Sequence, residues 1–285
     1  MSALYLKAAV KADEIRERLE LSMFQPINIF DASVSLGLGV RFLDINMEGM
    51  YISHENGLSP TILLSNQRPL PRRCYTCAHE LGHHFFAHGT KLDALSSEAG
   101  GISVDNLDEQ LVDAFAGSLL MPIAGVQAEF AKRNILLKAA SPVDFYIVSS
   151  VFGTGYQTLV THCSANGLID ETKKRSLLKY SPAKILHELF GLEIKNSYFK
   201  IVDSKFPVSI VDLEVGNYVV LPLSAKVEGD HLQYVQTTRL GIGYRAIKSG
   251  VFRAAIDGES GHFIRIQKHG YIGLAEYRHL ENENE

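Results

Sequence analysis

The feature that most constrains this chain is the run His79-Glu80-Leu81-Gly82-His83, an HExxH match inside an apolar-patterned stretch whose spacing predicts a helix. At about 100° per residue, with His79 as origin, His83 falls near ~40° and Glu80 near ~100°. Both imidazoles therefore share one face, one turn apart, and can reach a single Zn²⁺ while Glu80 addresses a water beside it. Cys74, Cys77, Ala78, Leu81 and Phe85 project to the opposite side, where they can bury. A ligand-bearing helix needs that division, with one face fixed in a core and the other turned to a cavity.

A hydrolytic zinc site uses three protein ligands and an open position, so a third ligand must come from elsewhere. The extended form HExxHxxGxxH is excluded, because Phe86 and Gly89 stand where it requires Gly and His. Projected along the same helix, His84 and His88 fall near ~140° and ~180°, turned away from the metal face, and read as solvent or core-edge histidines. Downstream, in VDNLDEQLVDAFAGSLLMP, the residues Leu107, Leu111, Phe115 and Leu119 recur at helical spacing, with Asp105 or Asn106 to cap the start and Pro122 after the end. Glu109 and Asp113 lie four residues apart on this second helix. Glu109 can complete a His, His, Glu set, and Asp113 can accept the other ring N–H of a ligand histidine and fix its tautomer. Spacing leaves two alternatives open. Glu109 also fits the N3 position of a capping box with Asn106, and Asp108 is a rival ligand on a different face.

The paired segments RRCYTCAHELGHHFFAH and EQLVDAFAGSLLMP resemble the signature of the ImmA/IrrE family of metallopeptidases. Arg73, Thr76, Ala78, His79, Glu80, Leu81, Gly82 and His83 match its first helix, and Glu109, Phe115, Ala116, Leu119, Leu120, Met121 and Pro122 its second. Val112 and Asp113 replace the commoner Ala and Asn, which leaves the ligand positions intact. The resemblance is specific over residues 25 to 125 and loose beyond. It implies zinc held by His79, His83 and Glu109, with Glu80 as general base. It also implies a zincin-like fold and, as substrate, a partner transcriptional repressor or antitoxin-like regulator. The oxyanion-stabilising group is not identified: Tyr146, Tyr156 and His162 qualify by type alone, and each reads more readily as a packed or surface residue.

At 285 residues, 46% hydrophobic and 21% charged, the chain has the composition of a globular protein of about two domains. No stretch approaches ~18 uninterrupted apolar residues. The opening MSALYLKAAVKADEIRERLEL is an amphipathic helix dotted with charge, so neither export nor membrane insertion is expected. Three cysteines without framework spacing favour a reducing, cytoplasmic setting. Cys74 and Cys77 form a CxxC with no second pair to match it, and they read, like Cys163, as small buried hydrophobes.

The expected fold is α+β: a zincin-like metallopeptidase domain over 1–125, a helical, helix-turn-helix-like region over 126–198, and a small β-rich domain over 199–285. Helix, Gly153-Thr154-Gly155 break and helix give the middle region its outline. Its second helix, Tyr156 to Asn166, carries no Lys or Arg, and the net charge is −4, so direct DNA binding is not expected. Lys173, Lys174 and Arg175 beyond it read as a solvated face. Gly241-Ile242-Gly243 lacks the extension of a nucleotide loop. Two functions follow: a zinc endopeptidase acting on a repressor or antitoxin-like protein, or a non-proteolytic regulator that uses the zinc fold and the β-rich domain to bind a partner.

Overall fold

The computed structural model describes residues 3–53, 59–89, 91–92, 107–191, 198–207, 210–256 and 260–280. The architecture is mixed α/β, in two compact units: residues 1–125 with 270–276, and 126–269 with 277–285. The second unit holds the helical stretch together with most of the β-rich stretch, whereas 270–276 join the first. The stretch 199–285, expected as a β-rich domain, thus falls mainly with the helical stretch, apart from 270–276.

In the first unit, α1 (Ala3–Arg18) and α2 (Ile29–Ser35) lead into β1 (Gly39–Leu43), β2 (Gly49–Ile52) and β3 (Thr61–Ser65), followed by α3 (Leu70–Phe85), the short β4 (Lys91–Leu92) and α4 (Leu107–Leu120). β1 and β3 run parallel, β2 is antiparallel to β3, β4 closes one edge on β2, and Gly273–Leu274 closes the other on β1. Alternation decides the buried face: Val40, Phe42, Tyr51, Ile62 and Leu64 point inward. Against these strands lies α3, which in turn packs on α4. A proline at each side of its first residue starts α3, since neither ring needs the N–H that the first turn leaves orphaned.

Arg16 ties this unit together from α1. It is almost fully buried, and its guanidinium donates to the Leu119 carbonyl at 2.6 Å, to the Ser22 carbonyl at 2.6 Å and to the Gln25 carbonyl. One cation thus caps the C-terminal end of α4 and pins the turn that follows α1. Burial lowers the Arg16 pKa to about 10, with Asp13 opposing that shift, so the group still carries its charge at neutral pH. Nothing in the amphipathic pattern of α1 marks this arginine as interior.

In the second unit, α5 (Ile123–Lys132), which starts in the first, leads to α6 (Pro142–Phe152), α7 (Tyr156–Ala165), α8 (Glu171–Leu177) and α9 (Pro182–Phe190). Ser141 and Asp144 form a capping box at the start of α6, and Gly153 ends it in the left-handed conformation. Two four-stranded sheets follow, built from β5 (Phe199–Ile201), β6 (Ile210–Glu214), β7 (Tyr218–Leu221), β8 (Lys226–Val227), β9 (Leu232–Thr238), β10 (Gly241–Ala246), β11 (Gly250–Ile256) and β12 (Ser260–Gln267). Their orders are β5-β7-β10-β9 and β6-β12-β11-β8. Gly241 and Gly243 therefore belong to a strand. Glu171 faces Lys174 and Arg175 at 3.6 and 3.7 Å on α8, which makes that basic run a solvated, locally paired face.

Asp212 on β6 anchors this unit. Its carboxylate receives two hydrogen bonds from Arg265 at 2.5 and 2.8 Å and one from Arg278 at 2.9 Å. Burial alone would raise its pKa, but Arg278 and Arg265 outweigh that and hold the carboxyl well below the usual carboxylate range. A carboxylate with a depressed folded-state pKa contributes stability that is present above its unfolded value, near ~3.9, and is lost as pH falls below it. Urea unfolding should accordingly show this unit weakening below about pH 4, and Asp212→Asn should be less stable at pH 7 while flattening that acid dependence.

Candidate metal centre

The middle of α3 is buried nearly all round: His79 is 8% exposed, and Glu80 and His83 are 0% exposed. The two expected faces exist, but the histidine face is covered as well. Cys77 lies fully inside with its sulfur 3.6 Å from the Ser33 hydroxyl, whereas Cys74 is only half-buried. Cys163 on α7 is fully buried, and burial pushes its thiol up to about 12.

α4 supplies the rest. Leu111, Phe115 and Leu119 are buried as their spacing requires, while Leu107 at the helix start is exposed. The capping candidates Asp105 and Asn106 lie outside the described residues. Glu109 Oε2 sits 3.1 Å from His79 Nε2 and 3.6 Å from His83 Nε2, and the two Nε2 atoms are 3.2 Å apart. A tetrahedral zinc with ligand bonds of ~2.0–2.1 Å places its donor atoms about 3.3–3.4 Å apart. The three donors found together here match the edges of such a polyhedron, so the residues fit a divalent cation. Asp108 points elsewhere, its carboxylate 3.5 Å from His88 Nε2.

The ring orientations are held from outside. His79 Nδ1 lies 2.9 Å from Asp113 Oδ1, so its N–H donates there and its Nε2 lone pair faces the other donors. Tyr75, one turn before His79 on the same face, donates its hydroxyl to the Asp113 backbone carbonyl at 3.1 Å. Burial, reinforced by Asp113, keeps that phenol protonated by raising its pKa well above the usual value. The signal for Tyr75 in the sequence is its spacing of four from His79.

His88 departs from expectation. A projection to ~180° assumes an unbroken helix, but α3 ends at Phe85 and Ala87 takes φ 55°, a left-handed conformation. The chain turns back, and His88 Nδ1 comes to 3.1 Å from His83 Nδ1. His84 does lie at the edge of the core, 2.8 Å from the Tyr51 hydroxyl; burial, with Arg18 adding, lowers its pKa. Tyr146 and Tyr156 are packed interior residues whose hydroxyls donate to the carbonyls of Phe199 and Leu177 at 2.7 and 2.8 Å. His162 lies on α7, 3.5 Å from the Asn166 amide nitrogen.

Two close approaches set the geometry. A β-carbon at Gly82 would lie 2.9 Å from Val112 Cβ and 3.1 Å from Phe115 Cδ1, so only glycine lets α3 and α4 meet at this separation. A β-carbon at Gly49 would lie 2.6 Å from Thr76 Cγ2 and 3.3 Å from Glu80 Oε1, which seats Glu80 against the start of β2. Neither could be recognised without knowing which elements pack.

A sheet-backed helix bearing two histidines, with a carboxylate brought in by a packed partner helix, makes a candidate metal site. Residues 35–160 match the family model described as Peptidase_M78, IrrE N-terminal-like domain, which supports a metallopeptidase-type domain over that stretch. None of the curated proteins compared matches it. Among the described residues, one stretch, 107–132, is long and apolar enough to cross a membrane by length and composition; 67% of its apolar window is buried, as in a core helix.

Gly82→Ala should force the two helices apart, lower stability by about 1–3 kcal/mol in chemical denaturation, and weaken metal binding by moving Glu109 away from the histidines.

Proposed function

We propose that this chain is a zinc-dependent endopeptidase in which His79, His83 and Glu109 hold the ion and Glu80 is the general base. The observation that carries the reading is the triangle of donor atoms at 3.1, 3.2 and 3.6 Å, contributed by two packed helices. A divalent cation held there would supply a Lewis acid able to polarise the scissile carbonyl and to render a water nucleophilic near neutral pH. Glu80, buried one residue after His79, would be the base that takes a proton from water and the acid that returns it to the leaving amine. Asp113 fixes His79 in the Nδ1–H tautomer, so that Nε2 stays available. A pure binding scaffold would have no need of the general base.

The substrate we propose is a protein: a helix-turn-helix repressor or antitoxin-like regulator whose cleavage switches on a stress or mobile-element response. The resemblance to the ImmA/IrrE signature supports this. In this reading the region 126–198 docks substrate without reading DNA, and 199–285 senses a ligand or captures the partner. The cysteine usage, three in 285 residues with no framework spacing, supports a cytoplasmic setting.

Glu80→Gln separates the two functions weighed above. It should keep zinc and fold yet lower cleavage by at least ~10²-fold, read as new protein N-termini that appear in cells with the unaltered chain and vanish with the variant. If biological activity survives Glu80→Gln, a non-proteolytic, partner-binding role replaces the peptidase. Glu109→Ala should release zinc in metal analysis; a protein that keeps its zinc and loses only about 1 kcal/mol of stability would reduce Glu109 to a helix-start residue.

A further inference from the structure

The turn that ends α3 does more than stop a helix. The Ala87 N–H donates to the His84 carbonyl at 3.1 Å and the His88 N–H to the His83 carbonyl at 3.0 Å, with Ala87 left-handed between them. These paired bonds make a Schellman motif, which folds the chain back over the last turn. His88 is thereby returned to His83, the residue five positions earlier, and its ring meets the His83 ring edge-on at 5.3 Å. Phe86 stacks on His88 at 5.8 Å and itself abuts Phe115 of α4 at 5.7 Å. The His88 side chain is one-tenth exposed.

We infer that His88 is the positioning residue for His83: it accepts the Nδ1–H of His83 and so turns the His83 Nε2 toward His79 and Glu109. Two nitrogens 3.1 Å apart need one donor and one acceptor. If the Nε2 lone pair of His83 is given to a cation, its proton sits on Nδ1, and His88 must present a bare Nδ1. The His88 proton then lies on Nε2, 3.5 Å from the Asp108 carboxylate. Asp108, a rival ligand on spacing alone, thus acts at one remove, orienting the histidine that orients a ligand. His79 has Asp113 and His83 has the pair His88–Asp108, so each imidazole of the site is steadied through the nitrogen it does not offer to the ion.

The inference rests on His83 being a metal ligand, and the measurements keep the two apart. On the full chain, zinc affinity is read by competition with a chromophoric chelator, and site geometry by the absorption spectrum of the cobalt(II)-loaded protein. His88→Ala should bind zinc about 10–100-fold more weakly and shift the cobalt spectrum, while the metal-free protein melts as the unaltered chain does. His88→Asn, whose Oδ1 can stand where Nδ1 stands, should recover most of the affinity and the spectrum. Equal affinity and spectrum for His88→Ala and the unaltered chain overturn the inference, as does an equal loss in the Ala and Asn variants. Should His88→Ala fail to fold, Asp108→Ala decides: a several-fold weaker affinity supports the relay, and an unchanged one overturns it. If the unaltered chain binds no zinc, or His83→Ala binds it equally well, the metal reading itself falls and takes the inference with it.

Discussion

Everything at the candidate centre depends on the distance between two helices. The donor atoms come from α3 and α4, and a hydrogen in place of a methyl at Gly82 is what allows Val112 and Phe115 to close on α3. Interiors packed at crystal density transmit small displacements rather than absorbing them, so an error of a few tenths of an ångström there would reach Glu109 directly. The two imidazoles are buried there while the Glu109 carboxylate keeps partial access to solvent. Buried rings beside a carboxylate are costly to desolvate unless something compensates them, and a shared cation would compensate all three together.

Burial also explains why so many polar groups surround the donors. His79 and His83 each have two ring nitrogens, and an interior ring cannot leave one of them to chance. Asp113 serves one ring and His88 the other, while Tyr75 holds the backbone beneath Asp113. Freezing both rings before any ligand arrives removes an entropy cost from binding.

How much of this was legible in the chain itself follows from the range of each interaction. His79, Glu80 and His83 are neighbours along one helix, so helical periodicity alone brings them to adjacent positions. Glu109 is ambiguous, because a carboxylate in a first turn serves a cap as well as a metal, and only the packing of α4 on α3 brings it within 3.1 Å of His79 Nε2. His88 was misplaced for a different reason: periodicity cannot foresee where a helix stops, and here it stops through a left-handed Ala87, a residue with no glycine-like signal. Arg16 and Gly49 were invisible because their partners lie far off in the chain. The pairing of Gly273–Leu274 with β1 was equally beyond reach, since two residues carry no pattern and the separation exceeds two hundred positions.

The arginine in α1 has an implication for where such a domain can be cut. The stretch that matches the peptidase model starts at residue 35, yet the far end of the helix bearing Glu109 is fastened by a side chain at position 16. A fragment trimmed to the matched boundaries would strip the Leu119 carbonyl of its Arg16 donor and let the last turn of α4 unravel toward the very contact that aligns the carboxylate. Sequence likeness, in other words, marks where the chemistry resides, while the mechanical footing that keeps it aligned extends further upstream.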